Sequence, residues 1–419
     1  MNKKLFLEPK DNIDHDKYSR QIRTYGLEIT KKLSKLKILI IGLRGLGAEI
    51  SKNIILSNPS QISIFDDQIC KINDLGTNFF LTNENVLNKK RRDESSLKKL
   101  SELNPTTKVN IENDYLNKIK NFDVVIITEI MKSEIINKIN KECHENNKGF
   151  IYTLSLGLTG FIFCDFGQKH LILDKTGQEK SKFYISSITK EKNAIMKIDY
   201  EKTNKRLNQN GYLIFKQVEG MIELNSNEPR FYEIDENNDD EYFIGNTSNF
   251  NDYTGGGIVE GFFYQIEMNY KSFEENFFDP VNNMIQYDYS INKKGRKQLL
   301  HILFINIQKF YDKYGELPKL NDENDSEKLF NQILEFSNEI KENNKFFQNL
   351  PELNKNLLKD LIKFSRTQHP SLCSFLGGFV AQEAIKFTGL YSPLNQWFWI
   401  DIYDETIINL SDANRTLKK

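Results

Sequence analysis

The first strong pattern along the chain is a short β-branched apolar run, Lys37 to Ile41, that ends at Gly42. Apolar residues then recur at helical spacing through Ile50, Ile54 and Ile55 until Pro59 stops them, and Ile62, Ile64 and Phe65 resume as a strand ending in Asp66-Asp67. Strand, turn, helix and strand within about 30 residues predict the opening of a doubly wound α/β sheet. Further strands fit Lys108 to Ile111, Asp123 to Thr128 and Phe150 to Thr153, with a helix from about Glu134 to Glu145. After Gly160 the period changes. Short alternating, aromatic runs (Phe161 to Cys164, Leu171 to Leu173, Phe183 to Ile188, Ile195 to Ile198, Tyr212 to Val218, Tyr242 to Ile244) read as a small all-β domain.

From about Lys293 helical spacing returns, with faces marked by Leu299, Leu303, Ile307, Phe310 and Tyr314, then by Leu329, Ile333, Phe336 and Ile340, then by Leu357, Leu361 and Phe364. A Gly-containing helix, Ser374 to Thr388, and an aromatic strand, Gln396 to Ile402, would return to the first sheet. The expected organisation is an α/β domain at 1–167, a β domain at 168–262, a helical bundle at 263–365, and the closing helix and strand of the α/β domain at 366–419.

Composition narrows the chemistry. The formal charge is −1 over 419 residues, so no global field favours nucleic acid or an anionic membrane. No apolar run approaches the roughly 20 residues needed to cross a bilayer, and Met1 to Asp16 lacks the apolar core of a signal peptide, which points to a cytoplasmic and nuclear location. Cys70, Cys143, Cys164 and Cys373 lie far apart without metal-ligand spacing and are expected to be buried free thiols.

The turn after the first strand, Gly42-Leu43-Arg44-Gly45-Leu46-Gly47, departs from a dinucleotide fingerprint at its third position. Glycine there lets the backbone approach a phosphate on the helix N-terminus; the Arg44 side chain opposes that approach. Gly42 still suits the tight turn and Gly47 the close packing of helix on strand. On the residues alone, a structural turn and a working nucleotide site both stand. Asp66, about 20 residues on, reads either as a ribose-binding carboxylate or as a solvated strand end. An NAD(P)-dependent oxidoreductase would rest on these two features only, with Arg44 against it.

Two dense runs, Tyr18-Ser19-Arg20-Gln21-Ile22-Arg23-Thr24-Tyr25-Gly26 and Leu43 through Leu56, resemble the start of the inactive adenylation domain of ubiquitin-activating enzymes, and also the small subunit of the SUMO-activating enzyme. Gly160 to Gly167, Val218 to Asn225 and Thr247 to Tyr253 resemble the first catalytic-cysteine half-domain, which the SUMO subunit lacks. Phe375 to Lys386 and Gln396 to Asp401 resemble the closing helix and strand. The resemblance implies a Rossmann-like, ThiF/MoeB-type adenylation fold with an inserted all-β domain and a four-helix bundle.

It also implies a site without its catalytic groups. Active members carry a phosphate-binding Arg where this chain has Asp74-Leu75-Gly76-Thr77-Asn78. The loop Ile126 to Lys132, where active members hold a metal-binding Asp, has Glu129 as its single carboxylate, and no metal is assigned. The run Lys89-Lys90-Arg91-Arg92 reads as a replacement for a catalytic Lys or as a solvated helix start. Arg20, a surface residue able to pair with Glu28 on its own showing, is implied to contact, in trans, ATP held by a partner half.

No catalytic residue is expected in this chain. ATP and Mg²⁺ are expected on a catalytic adenylation and cysteine-domain half, in the same polypeptide or a separate subunit, with ubiquitin or a ubiquitin-like protein as the further partner. Chain end at Lys419 falls near the family's hand-over to the active half, which suits a fragment, a truncated gene product or a separate subunit alike. A regulatory subunit for SUMO or another modifier, and a scaffold without enzymatic partner, remain alternatives.

Overall fold

A computed structural model describes residues 16–173, 182–203, 207, 211–226, 228–235, 238–262, 266–280, 295–320, 322–348, 350 and 353–402. The chain divides into two compact units, one comprising residues up to Leu171 and from Glu267 onward, the other Ile172–Ile266.

The first unit is built on a sheet of seven strands. Strands β1 (Lys37–Ile41), β2 (Gln61–Phe65), β3 (Lys108–Ile111), β4 (Val124–Ile127) and β5 (Gly149–Leu156) are parallel. β6 (Thr159–Asp165) folds back antiparallel on β5, and the closing strand Trp397–Asp401 pairs antiparallel with β6. The spatial order is closing strand, β6, β5, β4, β1, β2, β3. β1 has β2 on one side and β4 on the other, which makes its carboxyl end the switch point where α/β sheets place ligands.

Helices α1 (Ser19–Tyr25) and α2 (Leu27–Leu33) precede β1, and α3 (Gly45–Leu56) follows it. α3 stops where the periodicity predicts, because Asn58 adopts φ 67° and Pro59 cannot extend a helix.

Two hydrophobic cores correspond to the two sheet faces. Ile38, Ile40, Ile62, Ile64, Val124, Ile126, Ile162 and Cys164 pack with α3 and the helix Pro370–Lys386. Leu39, Ile41, Val125, Ile127, Tyr152, Phe161, Phe163 and Trp397 share the other core with Leu299, Leu303, Ile307, Phe310, Leu329, Ile333 and Leu361. The helices Arg296–Tyr314, Glu323–Asn343 and Lys355–Phe364 therefore cover one face of the sheet and belong to the same compact unit. Tyr314 and Phe364, at the ends of the predicted faces, are exposed.

Phe161 to Cys164 does not belong with the β insertion, as its aromatic alternation suggests. It lies inside the large sheet, buried on both faces, because the Gly157 turn returns it directly onto β5.

The unit Ile172–Ile266 is a closed six-stranded barrel among the described residues, formed by Lys182–Ile188, Ile195–Ile198, Gly211–Glu219, Arg230–Asp235, Asn238–Phe243 and Gly255–Phe262. Its core holds Phe183, Met196, Leu213, Phe215, Tyr242 and Val259. The strand Gly255–Phe262 is not foreseen, since three consecutive glycines read as a turn. At Gly257 the barrel requires one: φ is +103°, and a Cβ would lie 2.7 Å from Ile185 Cδ1.

Candidate functional site

At the carboxyl edge of β1 the chain turns at Gly42, with φ +96°, and enters α3. Gly47 sits against that turn so closely that a Cβ would lie 2.0 Å from the Gly42 carbonyl oxygen. The turn is fixed from the neighbouring strand, where Thr128 Oγ1 donates to the Gly42 carbonyl at 2.9 Å. Asn78 Nδ2 donates to the Leu43 carbonyl at 2.6 Å. Gly45 abuts Thr77, whose Cβ would be 2.4 Å from an added Cβ. The loop thus has the backbone geometry of a nucleotide fold, with protein packed around it.

The side chains close it further. Arg44, the helix N-cap, places Nε 3.5 Å from Asp74 Oδ1 and Nη1 3.8 Å from Glu129 Oε2, and its Nη2 donates to the Arg366 carbonyl at 3.2 Å. Gln368 Oε1 accepts from the Leu46 N–H at 3.3 Å, the kind of first-turn donor that would otherwise face a phosphate. Gln368 Nε2 donates to Glu129 Oε1 at 3.4 Å. A Cβ on Gly42 would sit 2.5 Å from Glu129 Cγ, so the Glu129 stem lies against the turn itself.

Asp66 is neither solvated nor free. It is 4% exposed, and its Oδ2 accepts from the Leu43 N–H at 2.7 Å and from Arg92 Nε at 2.8 Å, while Oδ1 accepts from Gln68 N–H at 3.0 Å. The carboxylate that could have met a ribose is committed within the chain. Arg92 corrects a second expectation. It begins the helix Arg92–Leu103 but is buried, bridging Asp66 and, through Nη1, Asp74 Oδ2 at 3.3 Å. A solvated helix start describes Lys89 and Lys90, which are exposed; Arg91 pairs with buried Asp93 at 2.6 Å.

Burial opposes the Arg92 charge, yet Asp66, with Glu129 and Asp74 behind it, outweighs that cost and holds the guanidinium above its ordinary value. Burial also pushes the Glu129 carboxyl up, against the pull of Arg44 and Arg92. Asp66, Asp74 and Glu129 share Arg44 and Arg92, so this cluster carries more acid than base before any anion arrives. A triphosphate would have to displace these contacts and approach carboxylates.

The cysteines are free and buried, and burial raises each thiol; that of Cys373 is pushed up to about 12. None carries the lowered pKa of a reactive thiol.

Arg20 lies elsewhere. α1 turns Tyr18, Gln21 and Ile22 inward, and Gln21 Nε2 donates to the Ser57 carbonyl at the C-terminal end of α3 at 2.9 Å. Tyr18 Oη bonds Thr106 Oγ1 at 3.1 Å. The 12 residues of α3 separate α1 from the glycine loop by about 18 Å. Arg20 is exposed on the outer face of α1 and forms no ion pair among the described residues, with Glu28 or any other acid. The sequence-marked residues therefore fall in two places: Gly42, Arg44, Gly45, Gly47 and Asp66 in the closed loop, Arg20 beyond the far end of α3.

Gln368 escaped the sequence reading. It precedes Pro370 in a connecting segment, where no period or motif marks a side chain that reaches back to a helix start more than 300 residues earlier.

Comparison with known proteins agrees with this architecture. The ThiF family profile matches residues 18–416. "Ubiquitin-activating enzyme E1 2" of Arabidopsis thaliana is 32% identical over 403 residues, covering 93% of this chain and 35% of the relative. "Ubiquitin-activating enzyme E1 1" of Schizosaccharomyces pombe is 30% identical over 413 residues, covering 98% and 39%. "Ubiquitin-like modifier-activating enzyme 6" of Mus musculus is 29% identical, covering 94% and 37%. The chain thus spans little more than a third of the length of these relatives. The solved structure of E. coli MccB with succinimide overlaps 35% of this chain and 47% of its own, at 22% identity and a TM-score of 0.31, too partial a likeness to add to the fold described above. With the profile running along almost its entire length, the chain belongs to the ThiF family and is homologous to ubiquitin-activating enzymes.

Proposed function

We propose that this chain is the non-catalytic half of a ubiquitin-activating enzyme. It supports ATP-dependent adenylation of ubiquitin, and transfer of ubiquitin to a thiol, by a partner half that binds ATP and Mg²⁺. The modifier is ubiquitin or a close relative, and the site of action is the cytoplasm and nucleus. The observation that carries this reading is the closure of the glycine loop by Arg44, Glu129 and Gln368, with Asp66 consumed by Arg92. A nucleotide fold closed in this way fits a supporting role. An oxidoreductase does not fit it, because the ribose-binding carboxylate is already bonded.

The surface supports a partner of similar build. α3 packs on the helix Pro370–Lys386 through Gly377, where an added Cβ would lie 2.6 Å from Glu49 Cβ. Phe375 is 54% exposed and stacks on Phe379, which stacks in turn on Phe398. Leu56 on α3 and nearby Phe79, under Lys52 Nζ, are also exposed. Exposed apolar side chains on these elements suit an interaction surface, and a second adenylation fold presenting its equivalent helices would cover them.

The test is reconstitution with a catalytic half. Ubiquitin-dependent exchange of pyrophosphate into ATP should need both halves, and exchange by this chain alone would overturn the proposal. In the assembled enzyme Arg20→Ala should slow adenylation by more than about tenfold, as loss of a charged finger contact does, without lowering the melting temperature of a chain in which Arg20 is exposed.

A further inference from the structure

Lys309 is set apart from the other cations of the helical layer. The helix Arg296–Tyr314 buries its neighbours on either side, Gln308 and Phe310, while Lys309 itself is half-buried at the edge of that face. Its Nζ lies 4.0 Å from the ring centre of Phe336, on the helix Glu323–Asn343, and 5.6 Å from that of Phe278. The two rings are 6.3 Å apart and tilted by 55°. Both walls are fixed from behind. Asn344 Nδ2 donates to the Phe278 carbonyl at 2.9 Å, the Phe278 ring packs edge-on against buried Phe277, and Phe336 packs against the core of the layer. Lys355 and Lys359, on the neighbouring helix, pair with Glu327. Among the described residues Lys309 is the one cation over two rings, and its Nζ meets neither a carboxylate at ion-pair distance nor a hydrogen-bond acceptor.

An ammonium loses hydration on entering such a site, and its N–H donors find no replacement in the protein around it. The ring faces return part of the loss through cation–π attraction, but they do not match water or a carboxylate. Burial accordingly holds Lys309 below its ordinary value, against the opposite pull of exposed Glu339, the charged group that faces it from the helix carrying Phe336. More of this amine is uncharged near neutral pH than an exposed lysine offers, with a lone pair open to an electrophile. The rings suit a small apolar group beside that nitrogen, and an amide there carries no charge to desolvate.

We propose that Lys309 is an acylation site, whose uncharged Nζ takes the acyl group of a small acyl thioester such as acetyl-coenzyme A. The ammonium first gives a proton to solvent. The Nζ lone pair then attacks the thioester carbonyl carbon, and the N–C bond forms as the C–S bond breaks. Nitrogen sheds a second proton, while the thiolate leaves with the electron pair and is protonated by water. The product is a neutral amide between Phe278 and Phe336, so a cation without an acceptor is removed from the helical layer. This chemistry is independent of the supporting role proposed above and needs neither ATP nor a partner half.

The test is acetylation of the full chain by acetyl-coenzyme A without an added enzyme, read at Lys309 and Lys313 by peptide mass spectrometry; Lys313 is exposed one turn further along the same helix. At pH 7 Lys309 should acquire acetyl at least about threefold faster than Lys313, and the ratio should fall toward one as pH rises to about 10, where exposed lysines also lose their protons. Phe278 is 45% exposed, so Phe278→Ala removes a wall at the surface, lets water back to the ammonium and should bring the two rates together. In urea the two lysines should react alike. Lys309 reacting no faster than Lys313 at pH 7, a preference that survives unfolding, or an unchanged preference in folded Phe278→Ala would each overturn the proposal.

Discussion

Replacing Arg92 by Ala probes the closed loop where its energetics are most concentrated. The guanidinium is 6% exposed and faces two carboxylates, Asp66 and Asp74, that are each 3% exposed. Its removal leaves Asp66 buried without its cation, leaves Asp74 with Arg44 alone, and takes a donor away from an acceptor oxygen on each acid. Breaking a buried pair in this way costs about 3–5 kcal/mol. At about 2 °C per kcal/mol for a domain of this size, the melting transition of the α/β unit should fall by about 6–10 °C. The measurement is thermal unfolding by circular dichroism, with the barrel transition as an internal reference, since Ile172–Ile266 forms its own compact unit. A double-mutant cycle supplies the control. Asp66→Asn combined with Arg92→Met removes the charge on both sides, and the pair should be less destabilised than the sum of the single variants by at least 1 kcal/mol. A melting temperature for Arg92→Ala within 1–2 °C of wild type would refute the view that this guanidinium holds the loop together.

Gly47→Ala should cost more than 3 kcal/mol or prevent folding, because the new methyl would fall 2.0 Å from the Gly42 carbonyl and cannot be relieved by a side-chain rotation; urea unfolding measures it. His144 Nδ1 lies 2.9 Å from Asp165 Oδ2, and that bond raises the imidazole pKa above 6.5. The pair therefore adds stability that is complete below pH 6.5 and is lost as pH rises through the folded value, so the melting difference between wild type and His144→Gln should shrink from pH 6 to pH 8.5. His301 behaves oppositely. Burial among aromatic rings lowers it to about 4, so the unfolded chain takes up its proton first and stability falls between pH 6.5 and about 4. His301→Leu should flatten the acid limb of a melting-temperature profile; an unchanged limb would rule this out.

The β1–α3–β2 opening was legible because strand and helix periods, a glycine turn and Pro59 all agree over a short stretch. The helix Arg296–Tyr314 was legible for the same reason. β6 was legible as a strand but its aromatic alternation grouped it with the β insertion, because nothing local in Phe161 to Cys164 tells a strand of the large sheet, buried on both faces, from a strand of a small barrel. The closure of the site was legible only in part. Arg44 advertises itself by occupying a glycine position, but nothing near Arg92 distinguishes a buried cation from the solvated lysines beside it. Burial of that charge depends on Asp66 and Asp74 arriving from two other segments, and Gln368 depends on a chain crossing from the far end of the sequence. Pairings of that range leave no local trace in a single sequence.

The closing strand Trp397–Asp401 carries a consequence for how the protein is made. β6 pairs with it along its whole length, yet roughly 230 residues, including the barrel and the helical layer, are synthesised between them. At 5–20 residues per second the ribosome needs about 12–46 s to deliver Trp397 after Asp165 has emerged. For that interval β6 is an open sheet edge bearing Phe161 and Phe163, the type of surface that recruits other chains. The yield of this protein in a cell should therefore depend on chaperone cover during the second half of its synthesis more than on the final stability of the fold.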